Sequence, residues 1–222
     1  GRKPHIDMYN LIPVVTLRKE PLQIPLNRVL KRSFDIVFAF LVLLILAPTA
    51  FVVIAILIKI YSPGPVFFKQ LRNGENNKEF WCFKFRTMKV NAQSDELQAT
   101  KNDDRITPLG KFLRKSSLDE LPQFWNVLIG EMSVVGPRPH MLKHTEEYSQ
   151  TISKFLVRHY AKPGITGWAQ IKGFRGETKA LQDMKNRVEA DIWYVENWSL
   201  LLDIRIVVVT VWNMLRGEKN AY

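Results

Sequence analysis

The chain has 222 residues, with 32 Lys and Arg against 21 Asp and Glu, a net charge of +11 and a mean hydropathy of −0.10. Its single cysteine, Cys82, excludes an intrachain disulfide framework and a cysteine-based zinc site, and fits a reducing compartment. The charge surplus attracts anions, whether nucleic acid, anionic lipid or phosphorylated substrates, and composition does not choose among them.

Residues 1–27 begin without methionine and carry Pro4, Pro13, Pro21 and Pro25 around a short apolar run, Leu11 to Val15. They read as the end of a preceding domain followed by a linker, with the chain a fragment of a longer protein; a floppy terminus is the alternative. A basic cluster follows, Arg28, Lys31 and Arg32, and then Ile36 to Ile58, 23 residues without a charge. As a helix rising ~1.5 Å per residue, this block reaches roughly 34 Å, enough for a bilayer core. Two features argue against a plain span. Pro48 near its middle removes a backbone hydrogen bond and kinks the helix. Residues 59–90 then place seven cations against Glu75 and Glu79, so basic residues flank both ends and both belong in the cytoplasm. A helix that enters the bilayer, bends and returns satisfies both facts; a spanning helix with a tolerated kink is the rival.

Residues 62–222 form the rest of the protein. Ser62-Pro63-Gly64-Pro65 is a turn signal, and the runs Val66 to Phe68 and Phe80 to Phe85, separated by Asn73-Gly74, predict a small hairpin. Alternation puts Lys84 and Arg86 on one face with Cys82 and Met88, where two cations could grip phosphate; from spacing alone a solvated strand face is the better explanation. Residues 91–105 are charge-dense and read as a surface loop or exposed helix. Ser117 followed by Glu120 is a capping-box pattern, which predicts a helix starting near Leu118 with Asp119 and Glu120 in its first turn.

Capping alone accounts for both acids, at a gain of about 1 kcal/mol. Their surroundings suggest more. Arg114 and Lys115 precede them, and Arg138 is held between Pro137 and Pro139, a stiff mounting for bidentate recognition of phosphate or carboxylate. A carboxylate at a helix N-terminus beside cations is expected to have a depressed pKa and to stay ionised, as a nucleophile or Mg²⁺ ligand must. Paired carboxylates, cations and phosphate oxygens are the components of metal-assisted phosphoryl transfer. Towards the C-terminus, Trp193, Tyr194 and Trp198 precede Leu200 to Leu215, a stretch whose Asp203 and Arg205 leave too short an apolar run to span. It reads as an interfacial amphipathic helix with aromatic anchors, or as a core helix beneath the site. Pro163-Gly164 and Thr166-Gly167 read as a turn near the substrate entrance or as a structural loop, and His5, His140, His144 and His159 lack metal-binding spacing.

Lys31-Arg32-Ser33-Phe34-Asp35, Ser62-Pro63-Gly64-Pro65-Val66, Lys84-Phe85-Arg86-Thr87-Met88, Ser117-Leu118-Asp119-Glu120-Leu121-Pro122-Gln123, Val135-Gly136-Pro137-Arg138-Pro139 and Lys162-Pro163-Gly164-Ile165-Thr166-Gly167-Trp168 together resemble the bacterial sugar transferases, the monotopic phosphoglycosyl transferases. The likeness runs in order from about Arg28 to about Arg216. It implies an α+β, mainly helical, monotopic membrane protein: a basic flank and Pro-kinked re-entrant helix over 28–61, and over 62–222 a catalytic domain with a small β-hairpin and interfacial amphipathic helices on the cytoplasmic face of the bacterial inner membrane.

The implied reaction moves a hexose 1-phosphate from a UDP-sugar, with UDP-glucose or UDP-galactose favoured, to undecaprenyl phosphate with release of UMP. This would be the first membrane step of exopolysaccharide, capsule or O-antigen synthesis. By the same resemblance Asp119 is the covalent nucleophile, Glu120 its partner, Mg²⁺ the cofactor held by both, and Arg114 and Arg138 help hold phosphates; Lys84 and Arg86 fall in the family's Lys-Phe-Arg motif, and their substrate-binding role is inferred from their charge and spacing. Ala47-Pro48 departs from the family's usual Ser-Pro at the break. Membrane lipid is an implied partner and nucleic acid is not, since no recognition helix or stacking motif is found; a homodimer stays open. Two rivals remain at this level: a membrane-anchored basic nucleic-acid binder, and a glycosyltransferase that releases UDP.

Overall fold

A computed structural model describes residues 5–9, 12–16, 20–90, 103–152, 154–174, 176 and 180–216, with 5–9, 12–16 and residue 144 described by backbone alone. Most of the charge-dense segment 91–105, namely 91–102, lies outside the described residues, as do residues 1–4 and the side chains of His5 and His144. The fold is mostly helical with three two-stranded sheets among the described residues.

Within the first 27 residues β1 (His5–Tyr9) pairs antiparallel with β2 (Ile12–Thr16). Helix α1 (Pro25–Leu46) starts on a proline, which lacks the amide that a first helical turn leaves unbonded. Pro48 interrupts its hydrogen-bond ladder, and the chain passes through a π-helical turn, Ala47–Phe51, into α2 (Val52–Tyr61). The stretch Pro25–Tyr61 is long and apolar enough to cross a membrane, and 11% of its most apolar window is buried in the protein. Val37, Phe40, Leu41, Leu44 and Ile45 on α1, and Val52, Val53, Ile56 and Ile60 on α2, are exposed.

Both ends of this stretch dock on one body. At the α1 end, the buried Lys31 ammonium donates to Val135 O at 2.9 Å and pairs with Asp203 at 2.7 Å, and Asp35 accepts from Ser133 Oγ and the Val134 N–H, both at 2.9 Å. Arg28 donates to Leu22 O, and Arg32 to the carbonyls of Val127 and Leu128. The basic cluster that flanks the apolar block is thus engaged with the protein's own carbonyls and one carboxylate. At the α2 end, Ile54 and Ile58 join Phe85, Leu113 and Leu121 in a buried cluster.

Strands β3 (Phe67–Asn73) and β4 (Glu79–Phe85) form the expected hairpin, with Phe67 opposite Phe85 and Gln70 opposite Cys82. Helix α3 (Pro108–Lys115) leads through a 3₁₀ turn, Leu118–Glu120, into α4 (Gln123–Ile129), whose C-terminus is closed by Gly130 at φ 92°. Strand β5 (Ser133–Val135) follows, then α5 (Leu142–Thr151), a 3₁₀ segment Phe155–Tyr160, and β6 (Gly164–Thr166), which pairs parallel with β5. A Cβ on Gly164 would collide with the Gly136 amide, so this glycine is required by close backbone approach. The Pro163-Gly164 and Thr166-Gly167 motifs accordingly build a sheet.

Helices α6 (Trp168–Ile171), α7 (Leu181–Glu196) and α8 (Leu200–Arg216) complete the body. Leu201, Ile204, Val208, Val211 and Leu215 recur every three or four residues along an exposed face of α8, while Asp203 and Ile206 are buried. Of the three expected aromatic anchors only Trp193 is exposed, stacked on Trp168 with ring centroids 4.5 Å apart. Tyr194 and Trp198 are in the core, because each finds a partner there for its polar end: both donate to Asp203, at 2.8 and 3.0 Å.

Candidate active site

Ser117 sits in the left-handed region at φ 56°, and its side chain forms no cap hydrogen bond. The expected capping box is therefore absent, and the α-helix begins at Gln123, beyond the acids. The reason is tertiary. Glu120 turns away from the backbone and puts Oε1 between two cations, 2.7 Å from Lys84 Nζ and 2.8 Å from Arg138 Nη2, with Arg138 Nη1 3.5 Å from its other oxygen. Two charge-assisted bonds outweigh one cap.

Three separate elements bring these groups together. Lys84 comes from β4, the acids from the 3₁₀ turn, and Arg138 from the segment after β5. Asn126 of α4 secures the edge of β4: its Oδ1 accepts from the Phe83 N–H at 3.1 Å, and its Nδ2 donates to Trp81 O and to Glu131, both at 2.7 Å. Asn126 is fully buried. The sequence reading missed it, since an asparagine in a helix carries no local sign that it will serve a distant strand. Arg114, near the end of α3, donates Nε to Thr87 Oγ1 at 2.9 Å. The first turn of α3 is capped by the Thr107 hydroxyl, which accepts from the Gly110 N–H at 3.0 Å, and Gly110 lies so close to the Thr87 carbonyl that a Cβ would overlap it.

Asp119 is 7% exposed. Burial pushes its carboxyl up to about 6, a shift opposed by Lys84, reinforced by the Glu120 charge, and opposed again by Arg114 and Arg138. The expected depression is thus reversed: the turn offers no helix N-terminus, and desolvation outweighs the cations. At neutral pH the group is still mostly ionised. Glu120 raises the pKa of Arg138, which stays charged. Among the described residues no hydrogen bond or ion pair ties the Asp119 carboxylate, so its lone pairs face an electrophile or a metal unencumbered.

Arg86 does not join this group. Its strand ends at Phe85, and the buried Arg86 guanidinium turns back to donate to the carbonyls of Ser62 and Pro63, over a Gly64 at φ 125° whose Cβ would strike it. It fastens the turn after α2. Lys84, Glu120 and Arg138 are in direct contact, and Asp119 and Arg114 lie within electrostatic range of them.

For Mg²⁺, Asp119 offers an uncommitted carboxylate, whereas Glu120 Oε1 is already bonded to two cations. Three cations against two carboxylates disfavour a bare divalent ion and favour one that arrives with a diphosphate, which is how Mg²⁺ commonly binds. The donor set fits the metal on those terms. Among the described residues, no group of three or more His, Cys, Asp or Glu gathers elsewhere as a metal cage.

A family model described as bacterial sugar transferase matches residues 26–217. The chain is 52% identical over 208 residues to the UDP-glucose:undecaprenyl-phosphate glucose-1-phosphate transferase of Escherichia coli (strain K12), covering 93% of this chain and 44% of that protein. It is 50% identical over 214 residues to the protein of that name from Xanthomonas campestris pv. campestris, covering 95% and 44%. It is 44% identical over 200 residues to the exopolysaccharide production protein PSS of Rhizobium leguminosarum bv. phaseoli, covering 88% of this chain and all of that protein. The chain thus spans under half the length of the first two.

Proposed function

The chain belongs to the bacterial sugar transferase family, and from that premise we propose that it transfers glucose 1-phosphate from UDP-glucose to undecaprenyl phosphate and releases UMP. The observation that carries this reading is an unencumbered, buried Asp119 beside Glu120, Lys84, Arg114 and Arg138. An ionised carboxylate oxygen of Asp119 attacks the β-phosphorus, the bond from that phosphorus to the bridging oxygen breaks, and UMP leaves with the oxygen. An oxygen of undecaprenyl phosphate then attacks the same phosphorus, forms the lipid diphosphate sugar and restores the carboxylate. Arg138, Lys84 and Arg114 hold the phosphate oxygens and the charge that develops on them. Mg²⁺, held by Asp119 and substrate phosphates with Glu120 alongside, would supply further neutralisation of that charge.

Glucose is chosen from the names of the relatives, and the pathway is read as exopolysaccharide synthesis on the same ground. The test is to incubate the detergent-solubilised protein with Mg²⁺, undecaprenyl phosphate and a series of UDP-hexoses. UMP release greatest with UDP-glucose is expected. Release of UDP would replace this reading with glycosyl transfer, and no turnover of any nucleotide sugar would sink both.

The apolar stretch is proposed to be re-entrant, with the body on the cytoplasmic face of the inner membrane. The support is that α1 and α2 dock at their outer ends on the same body, with exposed apolar side chains between. Single cysteines placed before α1 and after α2, in a Cys82→Ser background, should both resist an impermeant thiol reagent added outside intact cells. Labelling of one end and not the other would establish a span.

A further inference from the structure

Arg138 is held by more than its flanking prolines. The four carbonyls from Pro137 to His140 each accept a hydrogen bond from a residue distant in the sequence. Pro137 O takes the Gly164 N–H at 2.9 Å, and His140 O takes the Asn73 N–H at 3.3 Å. Between them, two guanidiniums fill the places of backbone donors: Arg158 Nη2 reaches Arg138 O at 2.6 Å, and Arg72 Nη1 reaches Pro139 O at 2.7 Å.

Both arginines are themselves braced. Arg158, 1% exposed, pairs with Asp191 of α7 at 2.8 Å, and its Nη1 lies 3.1 Å from His140 Nε2. Arg72 also donates to Gln70 Oε1 at 2.6 Å. Burying a guanidinium to satisfy a peptide carbonyl is a costly way to build a loop, since any neutral donor would do. The arrangement gives stiffness: a planar fork bonded at several points cannot swing, and the peptide it holds cannot either.

We propose that Arg158 and Arg72 are positioning residues for Arg138, clamping the peptides on its C-terminal side so that its guanidinium meets Glu120 and the transferring phosphate in one fixed geometry. The phosphate part rests on the reaction proposed above; the clamp on Arg138 and its pairing with Glu120 do not. Small displacements of such a group are expensive in rate, with losses up to about 100-fold for ~1 Å.

The experiment uses the purified protein in detergent with Arg72→Lys and Arg158→Lys, since lysine keeps the charge and loses the fork. Each should lower kcat for UMP release by about 10- to 100-fold with a much smaller change in KM for UDP-glucose. Neither should lower it further in an Arg138→Ala background. Independently of turnover, the Arg138 Nε–H signal, followed by NMR in protein carrying ¹⁵N-arginine and assigned by its loss in Arg138→Ala, should shift and report greater mobility in Arg72→Lys, because the peptide that carries Arg138 is no longer fixed. Equal losses in both backgrounds, or an Arg138 signal that Arg72→Lys leaves unmoved, would overturn the clamp. If Arg158→Lys fails to fold, the partly exposed Arg72 carries the test. If the parent protein releases no UMP, the reaction is wrong, and the Arg138 signal still decides the clamp.

Discussion

Asp119→Asn is expected to abolish UMP release, by at least about 1,000-fold, while the protein folds and becomes more heat-stable. Asparagine has the shape of aspartate and no anionic oxygen, so the proposed covalent step has no nucleophile. The gain in stability follows from the direction of the shift. The Asp119 carboxyl moves from an ordinary 3.8 to about 6 in the fold, chiefly by burial. Between those values the folded state binds more protons than the unfolded one, so stability falls as pH rises through the window, and the cost is fully present above about 6. The asparagine variant never ionises there. Its unfolding free energy at pH 7.5 should exceed that of the parent by on the order of 1–3 kcal/mol, read as a higher melting temperature, and the two should converge near pH 4. In the parent, the rate of UMP release should fall about tenfold per pH unit below about 6, as the nucleophile is protonated. Near-normal UMP release by Asp119→Asn would end the nucleophile assignment.

Glu120→Gln should cost about 100- to 1,000-fold in kcat and yet move the acid limb of the pH–rate profile downward. The two effects have one cause. Glu120 Oε1 bonds both Lys84 and Arg138 at under 3 Å, and a neutral amide cannot hold two cations in that place. Both lose their fixed positions, so phosphate would be held less well. The Glu120 charge also raises the Asp119 pKa, whereas Lys84 and Arg138 lower it. Without that charge Asp119 ionises more readily, and activity, though weak, persists to lower pH. Measuring kcat against pH for both proteins checks this; an unchanged rate, or an acid limb that moves up, would show that Glu120 has neither role.

Several features were legible in the sequence because each depends on residues close together in the chain. The hairpin of β3 and β4 follows from two apolar runs around Asn73-Gly74. The break in the apolar stretch follows from Pro48, which cannot donate a hydrogen bond wherever it lies in a helix. The acid pair and Arg138 stood out through their neighbours, and the structure brings Lys84, Glu120 and Arg138 into contact. Local rules failed where a distant partner outcompeted a near one. Ser117 and Glu120 match a capping box, but Glu120 gains more from two cations than from one amide. Arg86 alternates with Lys84 only while the strand lasts, and the strand ends between them. Tyr194 and Trp198 look like surface anchors until Asp203, several residues on, gives their polar ends a buried partner.

Length, charge and the 23-residue apolar block by themselves determined that one stretch of this protein is apolar throughout, that its remainder is basic, and that Pro48 interrupts the backbone hydrogen bonding of the apolar part. These depend on composition and backbone chemistry, which no fold alters. Only the tertiary structure decided where the positive charge goes. Lys31 and Arg32 are used within the protein, Arg72 and Arg158 are used on the carbonyls beside Arg138, and Lys84 and Arg138 are left for the acids. It also decided the state of Asp119, raised by burial where the nearby cations would lower it. The physical reason is the same in both cases: a charge's energy is set by how much water it has lost and which partners remain within a few ångströms, and in this chain those partners lie up to 172 residues away.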